Sequence, residues 1–207
     1  MILNPEIEAY IHSLLPARHE VLMEMEAYAA QHDVPIVGPA VGGLLALMVK
    51  ISGARRIFEL GSAIGYSTCW LAEAAGEGAE VHYSDGSADN TARARAWHER
   101  AGVTSRIIYH TGDALTALAA TTGEYDLIFN DVDKDGYPDV LKAAPPRLKR
   151  GGLFLTDNTL WHERVLNPQK PADHAVVAFD RRLFAHPDFQ TTLVPLRDGV
   201  TVSWKRQ

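Results

Sequence analysis

The sequence predicts an α/β protein built on a mostly parallel sheet. Two observations carry that prediction. Five short apolar runs between Arg56 and Asn158 alternate with stretches of helical spacing, and strands alternating with helices make a parallel sheet covered on both faces. The chain then closes on FQTTLVPL and VTVSWK, joined through Asp198-Gly199. That dipeptide between two β-rich runs signals a hairpin, which adds an antiparallel edge and brings the sheet to seven strands.

The opening segment is helical. Asn4 precedes Pro5 as an N-cap with proline at the first helical position. Ile7, Tyr10, Ile11, Leu14 and Leu15 then follow helical spacing. Val21, Leu22, Met25, Tyr28 and Ala29 mark a second helix, and Leu44, Leu45, Leu47 and Met48 a third after Pro39. These helices are apolar on more than one side, so residues 1–53 read as an accessory cap that meets another subunit in a homodimer. From Arg56 the rhythm changes. Strands are expected at Arg56–Leu60, Glu80–Asp85, Arg106–His110, Tyr125–Asn130 and Leu153–Asn158. Helices are expected through Cys69 and Leu71, over Ala88–Ala101, after Asp113, over Pro138–Leu148 and over His174–Ala185.

Composition narrows the setting. The 207 residues suffice for one well-filled core, read as a single domain over 1–207. Net charge is −6, which argues against broad nucleic-acid binding but leaves room for a local basic patch. Cys69 is the only cysteine, so no intrachain disulfide forms, which fits a reducing compartment. The start MILNPEIEAY carries Glu6 and Glu8 where a signal peptide wants basic residues and an apolar run. The stretch Val41 to Val49 is too short to span a bilayer. A cytoplasmic protein away from membranes is the expectation.

In such folds ligands bind outside the carboxyl ends of the strands. The first strand runs into ELGSAIGYS, Glu59 to Ser67. Its glycines let a ligand approach the backbone, and the following helix presents free N–H groups. The loop alone is equally compatible with a plain strand-helix turn. The second strand ends in Asp85, about 25 residues after the loop, where an acid can accept hydrogen bonds from ribose hydroxyls. Loop and acid together favour a nucleoside ligand. The third ends at Gly112-Asp113-Ala114, where Asp113 can cap its helix or face an adenine. The fourth delivers Asp131 and Lys134 and the fifth Asp157 and Asn158. Adjacent strands lie about 4.8 Å apart, so these groups can converge. Two carboxylates and an amide oxygen suit a hard divalent cation such as magnesium or calcium.

At these residues the chain resembles the cation-dependent, S-adenosylmethionine (SAM)-dependent O-methyltransferases, the group that includes catechol and caffeoyl-CoA O-methyltransferases and small bacterial relatives. ELGSAIGYS resembles the family's E-x-G-x-x-x-G-Y-S loop. FNDVDKDGY resembles F-x-D-x-D-K-x-x-Y, and GGLFLTDNTLWHERV resembles G-G-x-x-x-x-D-N-x-L-W-x-x-x-V. LRDGVTVSWK resembles the closing D-G hairpin. Three positions depart: Asn130 and Gly86 stand where aliphatic residues are usual, and Gly136 where Asn is common.

The resemblance implies a Rossmann-like class I methyltransferase fold and a role for each position. Glu59, Gly61 and Ser67 would hold the methionine part of SAM, Asp85 the ribose, and Asp113 and Ala114 the adenine. Asp131, bordering the cofactor, would ligate the cation with Asp157 and Asn158: magnesium, or else manganese or calcium. Lys134 would be the general base and Trp161 would lie near the acceptor, a small hydroxylated aromatic compound. Some bacterial relatives instead modify a hydroxylated uridine in transfer RNA, for which Arg55, Arg56, Lys149 and Arg150 offer a local basic patch. A non-catalytic nucleoside-binding protein is a third reading.

Overall fold

A computed structural model describes residues 4–207, so only residues 1–3 of the expected accessory segment lie outside it. Three helices come first: α1 (Pro5–Leu14), α2 (Glu20–His32) and α3 (Gly38–Ser52). The Asn4 side chain accepts from the Glu6 N–H at 2.8 Å, with Pro5 opening α1. Alternation follows through β1 (Arg56–Leu60), α4 (Tyr66–Ala75), β2 (Glu80–Asp85), α5 (Ala88–Arg100), β3 (Ile107–Thr111), α6 (Ala114–Ala120), β4 (Tyr125–Asn130), α7 (Tyr137–Ala143) and β5 (Leu148–Thr156). α8 (Pro171–Phe184), β6 (Phe189–Val194) and β7 (Val200–Lys205) end the chain.

The strands form one seven-stranded sheet in the order β3-β2-β1-β4-β5-β7-β6. β1 to β5 pair in parallel, while β7 runs antiparallel to both β5 and β6. Successive side chains on a strand point to opposite faces. Ile57, Leu127, Phe129 and Leu155 therefore pack beneath α2–α5, and Phe58, Leu60, Ile128 and Phe154 beneath α6–α8. The chain order reverses between β1 and β4, which opens a crevice at their carboxyl ends.

Several boundaries differ from the sequence reading, most clearly those around β5. The helix expected to reach Leu148 stops at Ala143, and β5 already begins at Leu148. Pro145 and Pro146 supply no N–H and turn the chain instead through a short 3-10 segment at Pro145–Arg147. β5 ends at Thr156, leaving Asp157 and Asn158 just beyond the last ladder position. No described helix is long and apolar enough to cross a membrane. α1 buries none of its residues, and Ile7, Tyr10 and Leu14 stay exposed.

Asp180 on α8 gives a stability test. Burial pushes its carboxyl up to about 7 from an ordinary 3.8, and its Oδ1 has no hydrogen-bond partner. The folded state thus binds a proton that the unfolded state releases near its ordinary value. Stability should fall as pH rises from about 4 to about 7 and then level off. Asp180→Asn is expected to be more stable than the wild type at pH 8 by about 1–3 kcal/mol. The advantage should vanish near pH 4. Melting curves at the two pH values check this, and an equal difference at both would remove Asp180 as its source.

Candidate functional site

A cavity of about 640 Å³ opens over the carboxyl ends of β1, β2, β4 and β5. Gly61 forms its floor after β1. A Cβ there would lie 2.6 Å from the carbonyl oxygen of Asp131, so only glycine lets the two strand ends approach this closely. Asp131 N–H donates to Leu60 O at 2.8 Å, and Asp157 N–H to Asn130 O at 3.1 Å. The parallel ladder thus continues one residue past β4 and β5 and aligns the two aspartates.

Lys134 stands at their meeting point, its side chain 9% exposed. The ammonium donates to Asn158 Oδ1 at 2.6 Å, Asp131 Oδ1 at 3.2 Å and Val132 O at 3.3 Å. The rings of Tyr137 and Trp161 lie 5.0 and 5.5 Å from it. Tyr137, itself buried, donates to the Asp157 carbonyl at 2.6 Å. Asp157 is 1% exposed. Burial first, and then repulsion from Asp131, pushes its carboxyl up to about 7. Loss of hydration likewise holds Asp131 above the ordinary range, opposed by Lys134. Asp133 and Asp135 are exposed on the turn beyond.

The cavity's other end is lined by Ala63, Asp85, Gly86, Gly112, Asp113 and Ala114. Asp85 accepts from the N–H groups of Ala63 and Ser87, both at 2.9 Å, and from Asn90 Nδ2 at 3.0 Å. It therefore ties the glycine loop to the start of α5 while facing the cavity. Ser87, not Asp85, caps α5. Asp113 does cap α6, accepting from the Thr116 N–H and hydroxyl at 2.7 Å each. Two expected residues lie off the wall. Glu59 is 0% exposed behind the loop, where the Thr68 hydroxyl donates to it and burial pushes its carboxyl up to about 7. Ser67 is buried on the first turn of α4.

Pro35, Ile36, His162 and Arg197 also line the cavity, and none was singled out in the sequence. Asp198 is 6% exposed and accepts from the His162 N–H at 2.6 Å. Asp173, 2% exposed, accepts from Trp161 Nε1 at 2.8 Å. These carboxylates hold a strained segment: Trp161, His162 and Glu163 have φ of 45°, 52° and 64°. Among the described residues seven non-glycines have positive φ, and five of them (Ala63, Asn158, Trp161, His162 and Arg197) line this cavity. Such backbone costs about 1–3 kcal/mol per residue and persists where the surroundings over-determine it.

The O-methyltransferase family matches residues 12–206. The chain belongs to that family. Among relatives of this O-methyltransferase, the caffeoyl-CoA O-methyltransferase of Medicago sativa is 28% identical over 206 residues, covering 92% of this chain and 83% of its own. The catechol O-methyltransferase of Niastella koreensis is 29% identical over 198 residues, with 92% and 90% covered. An O-methyltransferase from Bacillus cereus solved in complex with SAH has a TM-score of 0.88 at 28% identity, with 97% of each chain covered. The O-methyltransferase TomG from Streptomyces achromogenes, in complex with SAM, has a TM-score of 0.88 at 26% identity, covering 98% of this chain and 96% of that one. The protein is a SAM-dependent O-methyltransferase with the class I methyltransferase fold.

Whether a cation fits this O-methyltransferase can be judged from its oxygens. Among the described residues no three His, Cys, Asp or Glu side chains form a metal cluster. The oxygens that the cavity wall offers a cation are those of Asp131, Asp157 and the side-chain amide of Asn158. Those atoms fit one: Asp157 Oδ1 is buried without a partner, and the neighbouring Asp131 carboxylate repels it. All three are hard oxygen donors.

Proposed function

We propose that the protein methylates one hydroxyl of a small catechol-like acceptor, held beside SAM at a divalent cation on Asp131, Asp157 and Asn158. The observation that carries this reading is Lys134, 2.6 Å from Asn158 and 3.2 Å from Asp131, on the wall of the cavity that Asp85 and Gly61 also line. Methyl transfer breaks the S–CH₃ bond of a sulfonium and forms O–CH₃ in line, so the two reactants must be aligned. Phenols have a pKa near 10, and a bound divalent cation would supply the charge that lowers it and orients the oxygen. Lys134, once its ammonium has given a proton to solvent, would face the acceptor hydroxyl as a neutral amine and take its proton. Trp161 offers the acceptor ring an apolar wall. Asp85 accepts from the ribose hydroxyls, and Asp113 with Ala114 borders the adenine. Gly61 admits the methionine end, with Glu59 and Ser67 acting from behind the loop. The names of the plant and bacterial relatives support a phenolic acceptor. The exposed apolar residues of α1 support a homodimer through the accessory segment, which sedimentation would test.

The transfer-RNA reading is less well supported. Arg56, Lys149 and Arg150 lie toward the amino ends of β1 and β5, with Arg55 just before β1, at the far edge of the sheet from the cavity. Arg56 pairs with Glu80 at 2.6 Å and Lys149 with Asp126 at 2.6 Å. A methyl-transfer screen of diphenols and transfer RNA, with and without magnesium, tests the proposal. Metal-dependent methylation of a diphenol is expected. Transfer to RNA alone would replace the acceptor assignment.

A further inference from the structure

His98 has no part in the chemistry above, yet it is 0% exposed and sits under the glycine loop. α5 carries it there. Its Nε2 lies 2.8 Å from Gly65 O, and its Nδ1 lies 2.9 Å from the Tyr109 hydroxyl. A carbonyl oxygen only accepts, so Nε2 carries the hydrogen and Nδ1 accepts from Tyr109. Burial pushes the imidazole down to about 4, which keeps this neutral form at physiological pH.

The contact is close as well as polar. Gly65 caps α4 at φ 84°, and a Cβ on it would stand 2.5 Å from His98 Nε2. Other contacts fix the remainder of the loop. Ser62 N–H donates to Ser84 O at 2.9 Å, Ala63 N–H to Asp85 at 2.9 Å, and the Tyr83 hydroxyl to Ala63 O at 2.6 Å. Gly65 O also accepts the first α4 bond, from Cys69 N–H at 3.0 Å. The His98 bond is therefore not needed to start the helix. What it adds is a fixed orientation of the peptide that closes the loop.

We propose that His98 is a positioning residue for the cofactor, donating from Nε2 to the Gly65 carbonyl and so holding the 61–65 backbone in the shape that receives SAM. This rests on reading that loop as the SAM site. Polar positioning makes a demand that apolar filling does not: a donor must be present at that point. His98→Leu fills much of the space and removes the donor. His98→Gln restores an N–H within reach of the same carbonyl.

The test measures SAM affinity by calorimetry on the intact chain, with melting temperature alongside. His98→Leu is expected to fold and to bind SAM about tenfold more weakly, with His98→Gln recovering most of the loss. Tyr109→Phe, which leaves Nδ1 without its donor, should weaken binding by a factor of about three. Asp85→Ala is the control for the site itself and should weaken SAM at least about tenfold. If Asp85→Ala binds normally, the loop reading fails and this inference with it. If Asp85→Ala weakens binding while folded His98→Leu binds like the wild type, only the role of His98 is overturned. A weakened His98→Leu that His98→Gln does not improve also overturns it, because packing then explains the loss. Should His98→Leu fail to fold, Tyr109→Phe decides: weaker SAM binding supports the role, and wild-type affinity overturns it.

Discussion

Asp157→Asn is expected to reduce turnover at least about 10³-fold and to leave SAM affinity within a few-fold of the wild type. Asp131→Asn should do the same. Both carboxylates lie one residue beyond a paired strand end, and the continued ladder bonds fix their directions. Asp133 and Asp135 are exposed on the following turn, so Asp133→Asn and Asp135→Asn should be mild. Stability separates this expectation from simple unfolding. Asp157 is buried, and Asp131 repels it. Removing one of two like charges in a poorly hydrated place relieves repulsion. The melting temperature of metal-free Asp157→Asn should therefore stay level or rise while activity is lost. Chelation should stop the wild-type reaction, and magnesium or manganese should restore it. Full activity in chelator-treated, metal-free enzyme would end the cation assignment, leaving Lys134 to activate the acceptor unaided.

The residues of this prediction were legible in the sequence because a parallel sheet leaves little freedom at its strand ends. YDLIFND and LFLTDN read as core strands, and pairing in register brings their last polar residues side by side. Asp85 and Gly61 were legible for the same reason. The other wall was not. Arg197 belongs to the β6–β7 turn, Ile36 to the approach to α3, and His162 to a segment with three successive positive-φ residues. No apolar period governs such positions, so nothing local announces where they lie. Asp198 illustrates the difficulty. Asp-Gly between two strands signals an ordinary solvated hairpin turn, yet this aspartate is buried and anchors the His162 backbone. Glu59 shows what a sequence does not give, the depth of a side chain. A carboxylate entering a glycine loop reads as a ligand contact, but strand alternation turns it inward to Thr68.

Lys134→Met is expected to lower kcat by about 10²-fold or more while SAM affinity changes little. The lysine has two possible contributions, because its ammonium both faces the acceptor end of the cavity and holds Asn158 and Asp131 in place. Lys134→Arg separates them. A guanidinium keeps the positive charge and the donors, but it does not lose a proton in this range. If Lys134 takes the phenolic proton, Lys134→Arg should be nearly as slow as Lys134→Met. If it only orders the two oxygens, Lys134→Arg should keep much of the wild-type rate. A surface lysine on this turn would contribute under about 1 kcal/mol to stability and little to rate. At 9% exposure, with three acceptors around it, Lys134 is not in that class. Single-turnover rates with SAM and a diphenol, measured beside calorimetric SAM affinities, would decide the matter. Lys134→Arg retaining more than about a tenth of the rate would exclude the general-base role and leave the lysine as an electrostatic support.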